Sequence, residues 1–334
     1  MATSSTRNEE AAQRPQLPAC GEDEPSAKHQ KKDLFIWQAR FAQCVTFKTF
    51  IENISNVLTE GHFTIVNKED GFQGIETDSM DPNRIALVQG RLTAAVEGEV
   101  TESNSTFCIK MQNMLTCMRN AHAQHFLDLW RPKDSTDVVL HVYEPDVNTY
   151  TPTFKLRTLA KDADSIRLHV MDYKILVEID LQTFRNAIKT AKDHKTESVD
   201  LRVLTPRVQR GSRVTTFFVI KYESDEVKSI FPYQSVTEVD AVSADPSRHT
   251  SNPLCIRVSE NIAGDYDAIP SEEDLEVLYS ARFAVDYLFL FVKGMDRSGI
   301  TLRLSPDLPL IIDYPLGCSN TDYVRFVLAP KLAD

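Results

Sequence analysis

The apolar periodicities of this chain run through one cycle of strand, helix, strands, helix and strands, and then repeat it. Phe35-Ile36-Trp37-Gln38-Ala39-Arg40-Phe41 alternates as a strand. Phe47, Phe50, Ile51, Ile54, Val57 and Leu58 recur at helical spacing, which predicts an amphipathic helix over Val45–Leu58. Strand signals follow at His62–Asn67, Gly71–Glu76 and Ile85–Leu92. A second helix fits Ile109–Ala121, with Met114, Cys117, Met118 and Ala121 facing inward, and strand-like runs follow at Phe126–Trp130, Val138–Val142 and Thr153–Leu159. Ala160-Lys161-Asp162-Ala163-Asp164-Ser165 has linker composition, after which the plan restarts. Lys174–Ile179 alternates as a strand, and Leu181, Phe184, Ala187, Ile188 and Ala191 mark a third helix. Strands are expected at Val199–Leu204, Val214–Tyr222 and Leu254–Val258, a fourth helix at Ser280–Lys293, and closing strands at Ile300–Leu304, Leu308–Tyr314 and Tyr323–Ala329. A period this long excludes a solenoid and implies two similar domains that each mix strands and helices. Residues 205–213 and 223–270 read as polar loops or insertions in the second half.

The length of 334 residues is enough for two such domains, each with its own core. Residues 1–34 carry three prolines, five Lys or Arg and six Asp or Glu, with few large aliphatics, and are expected to be a disordered tail. Lys28-His29-Gln30-Lys31-Lys32 within it reads either as a nuclear-import patch or as a solvated linker. No apolar run reaches the roughly 18–20 residues that a membrane-spanning helix needs, and the first residues have no secretory apolar region. A soluble, intracellular protein with no membrane partner is the expectation. The six cysteines show no C-x2-C or C-x4-C spacing, so they are expected to be buried hydrophobes in a reducing compartment.

The formal charge is −11, from 37 Lys and Arg against 48 Asp and Glu, which argues against a polybasic DNA coat. The predicted helices reverse that balance. They carry Lys48, Lys110, Arg119, Arg185, Lys189, Lys192, Arg282 and Lys293 against Glu52, Asp193 and Asp286. Helices lining one surface with that bias could bind a phosphate backbone without reading bases; charged outer faces are equally the ordinary condition of amphipathic helices. Catalytic patterns are missing. There is no G-x-x-x-x-G-K-[ST], G-x-G-x-x-G or G-x-S-x-G, and only 11 glycines from which to build a phosphate loop. His122 and His125 near Cys117 lack a second pair for zinc, and Asp162 and Asp164 sit in the linker as solvated charge. Neither catalytic residue, metal nor cofactor is expected.

Three segments carry a resemblance. Asp78-Ser79-Met80-Asp81-Pro82-Asn83-Arg84-Ile85-Ala86-Leu87-Val88 is similar to the S-M-D-x-x-x-[VI]-x-L-V stretch of the proliferating cell nuclear antigen (PCNA) family of sliding clamps. Leu304-Ser305-Pro306-Asp307-Leu308-Pro309-Leu310 resembles its L-S-x-D-x-P-L strand, and Leu328-Ala329-Pro330-Lys331 its L-A-P-K terminus. Order and spacing match from about Trp37 to Leu332, faintly over residues 205–270.

The resemblance implies an α+β DNA-clamp fold: a first domain over 35–158, a connector over 159–173, and a second domain over 174–332. Each domain would have two helices on antiparallel sheets, and three subunits would close head to tail around duplex DNA. The chain would then be a non-enzymatic processivity factor in the nucleus, or at a viral replication site if the source is a large DNA virus. Its partners would be double-stranded DNA, two further copies of itself, a DNA polymerase, a clamp loader, and ligase- or nuclease-type clients. A subunit of a heterotrimeric checkpoint-type clamp is the alternative. Lys48, Lys110, Arg119, Arg185, Lys189, Lys192 and Lys293 would line the channel, with Asp286, Thr49 and Ser55 standing where the family commonly has bases. Client peptides would plug an aliphatic–aromatic group into a pocket formed by Met80, Arg84, Ile85, Leu87, Ile166, Leu168, Pro309, Ala329, Pro330 and Lys331. Val327 replaces an aromatic residue common in that pocket.

Overall fold

Both cycles recur as strands and helices in the computed structural model, which describes residues 34–68, 71–145, 152–160, 171–207, 213–224, 227–238, 253–258, 260–261, 274–294, 299–317 and 321–331. The expected tail, apart from Leu34, and the connector residues Ile166 and Leu168 lie outside the described residues. The first cycle comprises β1 (Phe35–Phe41), α1 (Cys44–Ser55), β2 (Glu60–Asn67), β3 (Gln73–Met80), β4 (Ala86–Thr93) and β5 (Ala95–Gly98). It continues with α2 (Glu102–Ser105), β6 (Thr106–Lys110), α3 (Met111–Met118), β7 (Phe126–Pro132), β8 (Val138–Tyr143) and β9 (Thr153–Leu156). The second begins with β10 (Ile175–Ile179), α4 (Leu181–Asp193), β11 (Ser198–Pro206), β12 (Arg213–Glu223), β13 (Lys228–Glu238), β14 (Leu254–Arg257) and β15 (Glu260–Asn261). It ends with β16 (Leu275–Ala284), α5 (Val285–Val292), β17 (Ile300–Leu304), β18 (Leu310–Pro315) and β19 (Tyr323–Leu328).

The strands form three sheets with the orders β5-β1-β7-β8-β9, β14-β10-β17-β18-β19-β4-β3-β2-β6 and β15-β13-β12-β11-β16. The first order recurs as β14-β10-β17-β18-β19, and β4-β3-β2-β6 recurs as β13-β12-β11-β16. The second half therefore repeats the first, and the two are fused where β19 pairs with β4 from Tyr323↔Arg91 to Leu328↔Ala86. Ladders are antiparallel apart from β10–β14, which is parallel. This is the mixed α+β, largely antiparallel architecture that the resemblance implies.

Burial follows the helical spacing. Cys44, Phe47, Phe50, Ile51 and Ile54 form the inner face of α1, and Leu181, Phe184, Ala187, Ile188 and Ala191 that of α4. Each fully buried large side chain contributes about 1.5–3 kcal/mol. Asp180 caps α4 by accepting the Thr183 N–H at 2.9 Å. α1 packs with α3, and α4 with α5. One continuous core runs through both halves and includes Trp37, Phe63, Phe184, Phe291 and Phe326.

Three expectations are corrected. The second helix starts at Met111, because Thr106–Lys110 leaves as β6 and pairs with β2; the Phe107-Cys108-Ile109 run is buried throughout, so helical spacing reads straight across it. The fourth helix starts at Val285, because Ser280–Ala284 is the end of β16, paired with Ser198–Arg202 of β11. Residues 223–270 are not all loop: β13 pairs with β12 over 11 residues. Pro232 in β13 argues against a central strand, and among the described residues β13 has only the two-residue β15 on its outer side, the kind of place where a missing N–H is tolerated.

Gly90 of β4 lies beneath α1, where an added Cβ would stand 2.4 Å from Phe50 Cε2. Gly90→Ala is expected to cost about 1–3 kcal/mol by overpacking, read as a lower midpoint in thermal denaturation; an unchanged midpoint would show that α1 is not seated on β4 in this way. Burial also pushes the Tyr233 phenol from 10 up to about 12. The folded state favours the neutral phenol, so that stability is complete below pH 10 and is lost as pH rises toward 12. Tyr233→Phe should show a shallower loss of stability over that window than the parent chain, measured by urea midpoints at successive pH values.

Candidate functional site

The strand registers align Met80 of β3, Leu87 of β4, Val327 of β19, Ile311 of β18 and Arg303 of β17 in one row across the nine-stranded sheet. Leu87, Ile311 and Val327 are 4–5% exposed and form a cluster separate from the main core, with Met80 and Tyr173 packed against them. Side chains two positions along share that face. There Asp78, Gln89, Arg325 and Asp313 form a polar row. Gln89 Nε2 donates to Asp78 Oδ1 at 2.7 Å, and the Nε groups of Arg325 and Arg303 both donate to the Asp313 carboxylate. An apolar strip thus runs beside charges that neutralise one another. Tyr173 lies against the strip, its hydroxyl donating to the Pro309 carbonyl at 2.8 Å. Burial pushes that phenol up to about 12, with Arg325 and Arg303 pulling it down.

One end of the strip is bounded by the loop joining β3 to β4, organised around Asp81, which is 3% exposed. Asp81 Oδ1 accepts the N–H groups of Ile85 at 2.7 Å and Ala86 at 2.6 Å, and Oδ2 accepts the N–H of Asn83 at 3.0 Å. These bonds fix a turn in which Arg84 is left-handed at φ 59° and Ile85 remains 44% exposed. The Ile85 carbonyl accepts the Ala329 N–H at 3.5 Å, and the Lys331 N–H reaches the Arg282 carbonyl at 2.8 Å. Lys331 Nζ lies 3.8 Å from Glu197 Oε2.

Of the residues expected in a pocket, Met80 and Leu87 belong to the apolar cluster, and Pro309 joins it through Tyr173. Arg84, Ile85 and Ala329 gather at the loop, while half-buried Pro330 and exposed Lys331 lead on toward β16. Tyr173 and Ile311 were not anticipated. The Leu310-Ile311-Ile312 run gives no sign of which aliphatic faces the strip; only the pairing of Ile311 with Val327 does.

The helix layer holds fewer bases than the sequence implied. Within the observed bounds, α1, α3, α4 and α5 carry Lys48, Arg185, Lys189 and Lys192 against Glu52, Asp193 and Asp286. Lys110 and Arg119 flank α3, Lys293 follows α5, and Arg282 sits in β16, bonded through Nε to Asp200 at 2.8 Å. Lys48 Nζ donates to the Arg119 carbonyl at 3.3 Å, which brings those two bases together. Arg185 Nε donates to the Val292 carbonyl at 2.9 Å. Lys192 pairs with Asp286 at 3.4 Å and lies over the Phe289 ring at 4.1 Å. Lys189 is exposed with no ion pair among the described residues.

No group of three or more His, Cys, Asp or Glu side chains among the described residues could hold a metal. Cys44 is buried, and that burial pushes its thiol up to about 12, away from nucleophilic chemistry.

Residues 36–167 match the family model for the proliferating cell nuclear antigen N-terminal domain. Among solved structures, PCNA from Entamoeba histolytica superposes with a TM-score of 0.63 at 15% identity, covering 89% of this chain and 100% of that one. PCNA from Thermococcus kodakaraensis gives 0.60 at 16% identity, covering 88% of this chain and 100% of that one. At those identities the superpositions speak to the fold alone, and the family match speaks to residues 36–167. The chain thus carries a PCNA N-terminal domain match over residues 36–167 and shares its overall fold with two solved PCNA structures.

Proposed function

We propose that this chain is a sliding clamp: a ring of three copies that encircles duplex DNA and docks replication and repair proteins by short peptides. The observation that carries this reading is the repeated sheet order. Within the chain, β19 of the second half pairs with β4 of the first. Among the described residues the corresponding strands lack that neighbour: β9 ends its sheet, and β13 has the two-residue β15 beyond it. The β9 edge of one copy can therefore meet the β13 edge of the next, repeating between chains the joint that β19 and β4 make within one. Such head-to-tail contacts close into a ring when the rotation permits.

On this reading Lys48, Lys110, Arg119, Arg185, Lys189, Lys192 and Lys293 face the enclosed duplex. Their number is modest and Lys192 is already engaged, so contacts with phosphates are loose and independent of sequence, as sliding requires. The apolar strip formed by Met80, Leu87, Val327 and Ile311, with Arg84, Ile85, Pro309, Ala329, Pro330 and Lys331 around it, receives an aliphatic–aromatic anchor from polymerase, loader, ligase or nuclease partners. Ile166 and Leu168 of the connector, expected in the same pocket, lie outside the described residues.

One observation favours a second reading, a subunit that closes only with different chains. β15 pairs with the outer side of β13 at Tyr233 and Gln234, so part of the edge that a second copy would use is already taken.

Mass measurement at micromolar concentration separates the two, a trimer being expected for the first and a lone monomer for the second. After loading, retention on circular duplex should far exceed retention on linear duplex of equal length, and equal retention would exclude a sliding ring. Lys189→Glu should weaken DNA association and lower the slope of log K against log salt by about one unit; an unchanged slope would remove Lys189 from the channel.

A further inference from the structure

Helix α5 belongs to the second half of the chain, yet one of its side chains reaches the loop that bounds the apolar strip in the first half. Tyr287 is half-buried, and its hydroxyl donates to Asp81 Oδ2 at 2.7 Å while accepting from Asn83 Nδ2 at 3.1 Å. The Asp81 carboxylate, with no salt bridge among the described residues, is satisfied by three loop N–H groups and this phenol. We infer that Asp81 and Tyr287 form a latch that sets the shape of loop 82–85 from helix α5, making Tyr287 a positioning residue for peptide docking.

The inference rests on the docking reading above for its consequence, but its geometry stands apart from it. Arg84 is left-handed, a conformation that costs a non-glycine residue free energy and persists only where surrounding bonds over-determine it. Asp81 supplies those bonds. The phenol fixes the oxygen that holds Asn83, and Asn83 in turn grips the phenol, so the loop is closed on itself through a side chain it does not own. The circuit continues on the other side. The Ile85 carbonyl holds Ala329, and Lys331 bonds to Arg282, three residues before α5 begins. Arg84, Ile85, Ala329, Pro330 and Lys331 therefore all take their positions relative to the start of α5. The residue preceding Tyr287 is Asp286, to which Lys192 of α4 reaches, so the hydroxyl is also placed by the packing of the two helices.

The test uses the full-length protein and Tyr287→Phe, which removes one hydroxyl and keeps the ring. Amide hydrogen exchange at Asn83, Ile85 and Ala86 should rise about tenfold, the scale of one hydrogen bond to a charged acceptor, while the amide of Thr93, held by Asp322 at 2.9 Å, stays unchanged. A fluorescent peptide with an aliphatic and an aromatic anchor should bind several-fold more weakly, with retention on circular DNA unaltered. Unchanged exchange at the three loop amides would overturn the latch. Faster exchange with unchanged peptide affinity would overturn the positioning role. Faster exchange with no peptide binding even by the parent chain would support the latch and count instead against the docking reading. If Tyr287→Phe lowers the thermal midpoint, Asn83→Ala, which removes the amide donor to the Tyr287 hydroxyl, provides the exchange measurement: faster exchange at Ile85 and Ala86 supports the latch, and unchanged exchange overturns it.

Discussion

The pairing of β19 with β4 is the joint on which the rest of the molecule depends. Six residue pairs from Tyr323↔Arg91 to Leu328↔Ala86 merge five strands of the second half with four of the first. Below the joint, Phe326 stacks on Phe291 of α5 at 4.6 Å and meets Tyr314 edge-on at 5.6 Å, so the strand carries aromatic packing as well as a ladder. Above it, the same register places Leu87, Val327 and Ile311 side by side. A slip of one residue would turn Val327 into the core and Phe326 outward, abolishing both arrangements at once. Core and apolar strip are thus two faces of a single register.

Side chains reinforce the joint at separate points. Asp322 accepts the N–H and the hydroxyl of Thr93, Asn56 at the end of α1 donates to the Lys293 carbonyl at 2.8 Å, and Tyr287 holds Asp81. Asp81 and Asp322 are buried or nearly so, and each is satisfied by N–H or O–H donors. A buried carboxylate held this way costs less than one left bare, and losing its partners costs more than an ordinary hydrogen bond. Relative movement of the halves is therefore resisted at the loop, at the helix ends and at the β4 terminus together.

The sequence was most legible where one face alone is buried. β1 and β17 alternate cleanly, and α4 shows its inner residues at helical spacing from Leu181 to Ala191, so both period and boundaries could be read. It was least legible where burial is all round. Phe107-Cys108-Ile109 enters a helix without a polar break, and Val285–Val292 is apolar on nearly every side, which leaves the strand-to-helix switch at Ala284 unmarked. The motif around Asp81 was visible as a string of residues, but its physical reason was not: three N–H groups converging on one carboxylate are a matter of turn geometry. Tyr173 and Ile311 enter the strip only through pairing and packing across the chain, which no local pattern encodes. The helix charge tally failed for the same reason as the helix boundaries, since Lys110, Arg119, Arg282 and Lys293 sit at ends or in strands.

That correction bears on how a clamp of this composition would hold DNA. Four bases against three acids on the helices themselves give little net attraction, and α5 contributes Asp286 with no base of its own. Each phosphate contact that releases a counterion strengthens binding at low salt without favouring any one position on the duplex. A ring requires no such strength, because dissociation needs a subunit interface to open. On the proposed reading, the net charge of −11 and the sparse helix bases fit the same design. The exterior gains nothing by attracting DNA, the interior needs only enough positive charge to centre it, and residence time is set by the edges β9 and β13. The covering of part of the β13 edge by β15 then matters more for function than any single lysine, since it acts on the contact that would keep the ring closed.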